Sequence, residues 1–285
     1  MKAIKPAAPG IFLKVLFAAE APKAVILRRG PREHYHLVLW DLATDEFQRG
    51  QWLRGVVRLS DLSADGKRLI YWAAQYHHPR TRPSAVAYYE PAPDLMRTRG
   101  RRRIPRYIRE QASPGSPTLR VDSFSTWTAL SKPPYFTALA IWPSIGTWTG
   151  GGYFDGDGTI RLAEFSLDPI LNAGPPDVPI YPDQSTLMRT GRIGGMRSAR
   201  FGGVEGDDHQ SDVALELYVA GANRIHWVDL LSPTGVTFAY DGRIYRSRAS
   251  PAAVPKTIVA DARLIADLTG LAFEKIPPPA SALQW

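Results

Sequence analysis

Residues 34 to 74 read HYHLVLWDLATDEFQRGQWLRGVVRLSDLSADGKRLIYWAA, and two hairpin signals follow one another in them with almost no spacer. The first is an apolar strand ending in Trp40-Asp41, a polar turn Ala43-Thr44-Asp45-Glu46, and a return from Phe47 to Trp52. The second runs from Val56 to Leu62 into Ser63-Ala64-Asp65-Gly66-Lys67 and returns through Arg68-Leu69-Ile70-Tyr71-Trp72. Its Asp-Gly pair suits a turn that needs positive φ. Strand, turn, strand, turn, strand is a β-meander, so the expected fold class is all-β.

Working outward, Gly10 to Ala19 and Ala24 to Arg29 are two apolar runs separated by Glu20-Ala21-Pro22-Lys23, and Pro22 argues for a hairpin over one continuous helix. Arg28-Arg29-Gly30-Pro31 is expected to turn into the central stretch. Downstream, Ser84 to Glu90, Leu119 to Phe124, Thr126 to Leu130 and Tyr135 to Trp142 read as strands, the last two separated by Pro133-Pro134. Gly150-Gly151-Gly152 leads into Tyr153-Phe154, and Asp155-Gly156-Asp157-Gly158 makes a tight turn into Thr159 to Leu167. Gln184 to Met188 reads as a short strand. A second four-stranded meander is expected from Ala214 to Ala220, Arg224 to Leu230, Val236 to Tyr240 and Arg243 to Arg248, with turns at Gly221-Ala222-Asn223, Ser232 to Gly235 and Asp241-Gly242. The tail is expected to hold a short helix over Ala262 to Leu268 and a last strand over Ala272 to Ile276, before Pro277-Pro278-Pro279.

Leu39-Trp40-Asp41-Leu42-Ala43-Thr44 resembles the end of a WD-type strand, and Asp61 to Tyr71 resembles the TolB-type element SPDGKxIxY. On these residues the chain is similar to WD40/TolB-type β-propellers, within an uncharacterised bacterial family. The resemblance implies a single domain over residues 1 to 285 of about five blades, six possible, since some twenty strand candidates divide into four-stranded blades. A two-sheet β-sandwich is the alternative. Long loops are expected at 91–118, 168–183 and 191–212, the last two for their proline and glycine content.

The 285 residues suffice for one large all-β domain, and 24 glycines with 25 prolines imply many short connections. Eight Trp, twelve Tyr and ten Phe supply core area. Cysteine is absent, which excludes disulfides, thiolate nucleophiles and Cys-based zinc sites. The N-terminal apolar run is broken by Lys14, Glu20 and Lys23, too soon for a secretion signal, and nothing approaches the apolar length of a membrane span. A cytoplasmic protein without a membrane span is the expectation.

The formal charge of +8 is concentrated in RTRGRRRIPRYIR. Arg97, Arg99, Arg101, Arg102, Arg103, Arg106 and Arg109, with Tyr107 as a stacking face, suit an anionic surface, because such a surface relieves their mutual repulsion. The partner expected is a protein; nucleic acid is possible and less favoured, since no nucleic-acid motif accompanies the run. The bland reading is a solvated loop whose arginines pair with acids elsewhere on the chain. His77, His78, Arg80 and Arg82 form a second exposed loop expected to make partner contacts.

Asp155, Asp157 and Glu164 lie at calcium-loop spacing, but the first ligand position falls on Tyr153 and neither flank reads as a helix, so a hairpin turn is the better reading. Asp207, Asp208 and His209 are weak metal candidates in a glycine-rich loop. No metal, cofactor or bound nucleotide is expected, since no G-x-x-x-x-G-K-[ST] or G-x-G-x-x-G motif is present. No G-x-S-x-G occurs either. Asp41, Asp61 and Asp229 stand at strand ends where a propeller hydrolase, acting on glycosides or esters, could gather carboxylates in a central pocket. The competing reading makes Asp41 and Asp229 caps of the turns that follow them. Trp40, Trp52, Trp72, Trp127, Trp142 and Trp227 are assigned to packing. The chain therefore reads as a non-enzymatic interaction scaffold. The resemblance adds a possible place in a multi-protein bacterial system with an AAA ATPase and a von Willebrand A protein.

Overall fold

The computed structural model describes residues 10–30, 33–75, 80–81, 107–113, 116–121, 123–144, 150–162, 169–174, 176–182, 225–229, 235–250, 253 and 255–285. Among these, the fold is all-β, with several antiparallel sheets and one short α-helix.

Strands β1 (Phe12–Phe17), β2 (Lys23–Arg29), β3 (His34–Asp41) and β4 (Glu46–Arg54) form the first sheet as a plain antiparallel meander. Pro22 sits in the β1–β2 turn, as its break of the apolar pattern requires. Arg28 and Arg29, however, are strand residues and not part of the turn: Arg28 pairs with Leu13 and with His36, and its backbone is committed on both sides.

The central stretch does not stay in one sheet. β5 (Val56–Leu62) and β6 (Leu69–Ala74) form the second hairpin, yet they join β11 (Thr126–Ser131), β12 (Ala138–Ser144) and β15 (Ile170–Leu171) in a second sheet ordered β15-β12-β11-β6-β5. The switch falls on Gly55. Its φ is +135°, and an added Cβ would lie 2.2 Å from the Ala74 carbonyl oxygen, so only glycine fits.

β7 (Arg80–Thr81) pairs with β10 (Ser123–Phe124), and β8 (Tyr107–Ser113) pairs with β9 (Ser116–Val121). Residues 107–113 and 116–118 were expected to be loop; their backbone instead lies in the paired strands β8 and β9, whose ladder satisfies amides and carbonyls along both. A third sheet holds β13 (Gly152–Phe154), β14 (Ile160–Leu162) and β16 (Ile180–Pro182), with β14 and β16 parallel. β15 and β16 thus fall inside the 168–183 connection, which pairs at both ends despite its prolines.

The fourth sheet is β17 (Ile225–Asp229), β18 (Val236–Tyr240), β19 (Arg243–Ser247) and β20 (Arg263–Asp267), again a meander. Its fourth strand is β20, drawn from the stretch expected to be helical. The helix, α1 (Pro255–Ala260), lies upstream, with proline at its first position where no amide donor is needed. The Asp261 carboxylate then accepts from the Arg248 amide and the Ser247 hydroxyl, ending the turn and returning the chain to β19. Ala272 to Ile276 is not a strand; the tail is held by side-chain contacts described below. Ala214 to Ala220 and Gln184 to Met188 lie outside the described residues, as do the loop 191–212 and Ser84 to Glu90.

The four larger sheets stack face to face in the order fourth, first, second, third. Leu16, Val25, Leu27 and Leu37 of the first sheet pack on Leu59, Tyr71, Trp127 and Ala129 of the second. Its opposite face, with Leu13, Val15, Ile26, Val38 and Trp40, packs on Ala239 and Ile244 of the fourth. Ile70, Leu130 and Trp142 on the far side of the second sheet meet Ile160 and Leu162 of the third. Both middle sheets are therefore buried on both faces, which is why β6 and β11 are buried at every residue. The fourth sheet turns its outer face, Val236 and Phe238, to Ile258 of α1. Trp40, Trp72 and Trp127 are fully buried, in keeping with a packing role.

The first strands of these sheets are neighbours at the stack's shared edge. β1 lies beside β5 and β17, and β5 lies beside β13.

Candidate functional site

Two places concentrate polar side chains against this apolar background. The first is the shared edge of the stack. Alternation along β1 puts Leu13, Val15 and Phe17 on the face toward the fourth sheet, and Leu16 and Ala18 on the face toward the second. Lys14 belongs to the latter set and is half-buried. On β5, Arg58 is half-buried as well. Burial pushes the Lys14 ammonium below its usual range, and the nearby Arg58 guanidinium pushes it the same way; burial also lowers Arg58. Among the described residues the Lys14 side chain makes no hydrogen bond or ion pair.

Asp61, further along β5, is 4% exposed. Its carboxylate accepts from the Leu62 amide at 2.9 Å and from the Phe154 amide at 2.8 Å, tying β5 to β13. That anchoring makes Asp61 a structural link between the second and third sheets. Asp41 caps its own turn by accepting from the Ala43 and Thr44 amides at 2.9 and 3.3 Å. The two carboxylates do not converge on one pocket: Asp41 faces a turn of the first sheet and Asp61 a strand of the third. The Asp229 side chain lies outside the described residues.

The second place is a row across the first sheet. Arg28, His36 and Trp52 stand opposite one another on β2, β3 and β4. Arg28 is fully buried, its guanidinium over the Trp52 ring at 5.4 Å from the centroid. It donates to the carbonyl oxygens of Gly30, Leu268 and Thr269, the last two on the C-terminal tail. His36 stacks flat on Trp52 with centroids 4.2 Å apart, and its Nε2–H donates to the Gly50 carbonyl at 3.1 Å. Its Nδ1 is buried without a partner. Burial pushes this imidazole down to about 4 against the opposing pull of the Gly50 bond, and the Arg49 and Arg28 charges add to the depression. A neutral histidine is the result.

From this row the tail runs over the stack. Phe273 packs on His34 and Trp52, and Glu274 pairs with Arg49 at 2.8 Å. Lys132, in the β11–β12 turn, donates to the Ser281 and Trp285 carbonyls. Trp285 packs beside the core between the second and third sheets, and its Nε1–H donates to the Gly174 carbonyl at 3.1 Å. Residues 268–285 thus strap all four sheets together.

Of the residues expected to form sites, Arg97, Arg99, Arg101, Arg102, Arg103, Arg106, His77, His78, Arg82, Glu164, Asp207, Asp208 and His209 lie outside the described residues. Tyr107 and Arg109 are in β8, and Arg80 is in β7. Asp155 and Asp157 serve their own turn. The Asp155 carboxylate accepts from the Gly156 amide and pairs with Arg161 at 3.3 Å. Asp157 accepts from the Thr159 amide at 2.8 Å, and those Thr159 bonds hold its carboxyl below the usual range. Among the described residues no three His, Asp or Glu side chains cluster as a metal site would require.

Sequence reasoning missed Arg28, His36 and the strap. Arg28 looked like a turn residue because it precedes Gly30-Pro31, and only the register reveals that it faces Trp52. Lys14 carries a signal visible in the sequence, a charge inside an apolar strand.

No family model, no curated protein and no solved structure matches this chain. Among the described residues no helix is long and apolar enough to cross a membrane.

Proposed function

We propose that the protein is a non-enzymatic β-propeller, of about five blades, that acts as a protein–protein interaction scaffold in the cytoplasm. The observation that carries this reading is the order of the stack. Consecutive antiparallel sheets pack face to face, and their first strands, β17, β1, β5 and β13, succeed one another along one edge. Blades around a hub have that arrangement, whereas a two-sheet sandwich has a single buried interface. Such a body is rigid, and it presents its loops on its rims as docking surface.

The partner-facing element is the arginine run from Arg97 to Arg109, with an acidic protein surface as its complement. The hydrolase alternative is less favoured because Asp41 and Asp61 are each engaged by backbone amides. Nucleic acid remains a competing occupant of the basic run, distinguished by its steep salt dependence. A place beside an AAA ATPase is part of the same proposal.

The test is affinity capture from the host with the intact chain and with a triple variant, Arg101→Glu, Arg102→Glu and Arg103→Glu. A single protein should co-purify at fixed stoichiometry with the intact chain and be lost from the variant, while circular dichroism of the two is the same. Recovery of nucleic acid instead, or equal recovery of the same protein by both, would reject the scaffold reading of this segment.

A further inference from the structure

The strap is held tightly at its start and loosely beyond it. Leu268 is buried, and its amide donates to the Gly242 carbonyl at 3.0 Å. The carbonyls of Leu268 and Thr269 accept from the fully buried Arg28. Gly270 follows in open space, with nothing within 4 Å of where a Cβ would stand. From Leu271 to Trp285 the chain joins no sheet ladder and forms only the 3-10 turn Ala280–Leu283. Its holds are few and solvent-exposed. Phe273 is 63% exposed although its ring centroid stands 5.6 Å from that of His34 and 6.1 Å from that of Trp52. Glu274 and Arg49 are both exposed, and an exposed pair contributes little. Ala282 is the one buried side chain of this length, and it is only a methyl.

The surface beneath suits an extended peptide. His34 and Trp52 are half-buried with the strap in place, so Phe273 fills their aromatic seat only in part. Arg49 holds an acid one residue further on. The β11–β12 turn lies against β4, with the Gln51 amide donating to the Pro134 carbonyl at 3.0 Å, and its Lys132 takes the Ser281 and Trp285 carbonyls. A second copy of the chain brings only the same segment and loses to the tethered one, whose effective concentration is on the order of millimolar. A foreign segment that covers more of the Trp52 face displaces it.

We propose that residues 271–285 occupy in cis a docking surface made by His34, Arg49, Trp52 and Lys132, and swing off it about Gly270 to admit an extended segment of a partner protein, an aromatic residue followed by an acid. This surface is separate from the arginine run, so the inference does not depend on the scaffold reading of that run.

A fluorescein-labelled synthetic peptide with the sequence of residues 270–285 is the probe, its binding followed by anisotropy. It is titrated into the intact chain and into the double variant Phe273→Ala, Glu274→Ala, whose own strap has lost two of its holds. The double variant should bind the peptide about tenfold more tightly than the intact chain does. Adding Arg49→Glu should remove that binding, and a peptide carrying Glu274→Arg should restore it. Sedimentation should show the intact chain as a monomer at every concentration. A second measurement uses the lack of native cysteine: the thiol of Ala282→Cys is reached by iodoacetamide when the strap is off. Its alkylation should speed up about tenfold with Phe273→Ala and stay unchanged with Leu37→Ala, which weakens the core alone.

The proposal is overturned if the double variant binds the peptide no better than the intact chain, or if Arg49→Glu leaves that binding in place. It is equally overturned if alkylation of Ala282→Cys follows Leu37→Ala and not Phe273→Ala. A concentration-dependent dimer abolished by Phe273→Ala would make the occupant a second copy and overturn the assignment to a foreign partner. Should circular dichroism show the double variant unfolded, the alkylation comparison decides.

Discussion

The first and fourth sheets are the same motif in two settings. Each is a four-stranded antiparallel meander in sequence order, but the first lies between two other sheets whereas the fourth is covered on its outer face by the single turn-and-a-half of α1. The strands record the difference. β2 and β3 run Ala-Val-Ile-Leu and Leu-Val-Leu-Trp with both faces buried, while most of β19 and all of β20 are half-buried or exposed, and Leu264 is 52% exposed. A meander's pattern thus gives its topology, and its apolar run length gives its depth in the stack.

Substitutions can break this contrast. The largest effect is expected at Leu37, fully buried between the first and second sheets: Leu37→Ala should cost about 3 to 4 kcal/mol, whereas Leu264→Ala on β20 should stay within about 0.5. Urea unfolding of both variants measures the difference, and similar midpoints would contradict the stacking order. Next comes Arg28→Ala, which leaves three carbonyl oxygens without their donor and unpins the strap from the first sheet. A loss of about 3 kcal/mol is expected, with faster proteolysis of the tail after Leu268.

His36 adds a dependence on pH. The unfolded chain protonates this ring near 6.5 and the folded chain only near 4, so between those values the unfolded state holds more protons and stability rises with pH. The contribution is complete above 6.5 and is lost as pH falls toward 4, by on the order of 3 kcal/mol. Unfolding midpoints followed across that window should show the slope in the intact chain and a flatter one in His36→Phe.

A smaller loss than those at Leu37, Arg28 and His36 is expected at the tie between the first and fourth sheets. Arg246 makes a bidentate pair with Asp45 at 2.7 and 2.9 Å and lies over Trp40, whose Nε1–H also donates to Asp45. The pair is partly exposed, so Asp45→Ala should cost about 1 kcal/mol, and a double-mutant cycle with Arg246→Met should recover most of that as coupling.

The hairpins were legible because their signals are local. Asp65-Gly66 and Asp241-Gly242 sit in turns where the structure turns, and Pro22 and Pro133-Pro134 stand between the strands they were expected to separate. What was hidden depends on contacts distant in sequence. Gly55 reads as one more turn residue, yet it sends the two halves of the central stretch into different sheets. β20 has an apolar core, Leu-Ile-Ala, short enough to suit helix or strand, and the free edge of β19 decided it. Arg28 and His36 meet Trp52 only through the pairing of three strands. Tail residues Phe273 and Trp285 gave no periodicity because their contacts are side-chain bonds to other sheets.

The central proposal is that the sheets curl around a hub and do not form a flat pile. Since the chain has no native cysteine, spin labels can be placed at Tyr153→Cys on β13 and Ile225→Cys on β17, the first strands of the third and fourth sheets, and their separation read by double electron–electron resonance. A flat pile in the observed order would separate them by three sheet spacings, about 30 Å. A ring brings them back across the hub, and a distance well below that value is the result this account predicts; a distance near or beyond it would contradict the propeller.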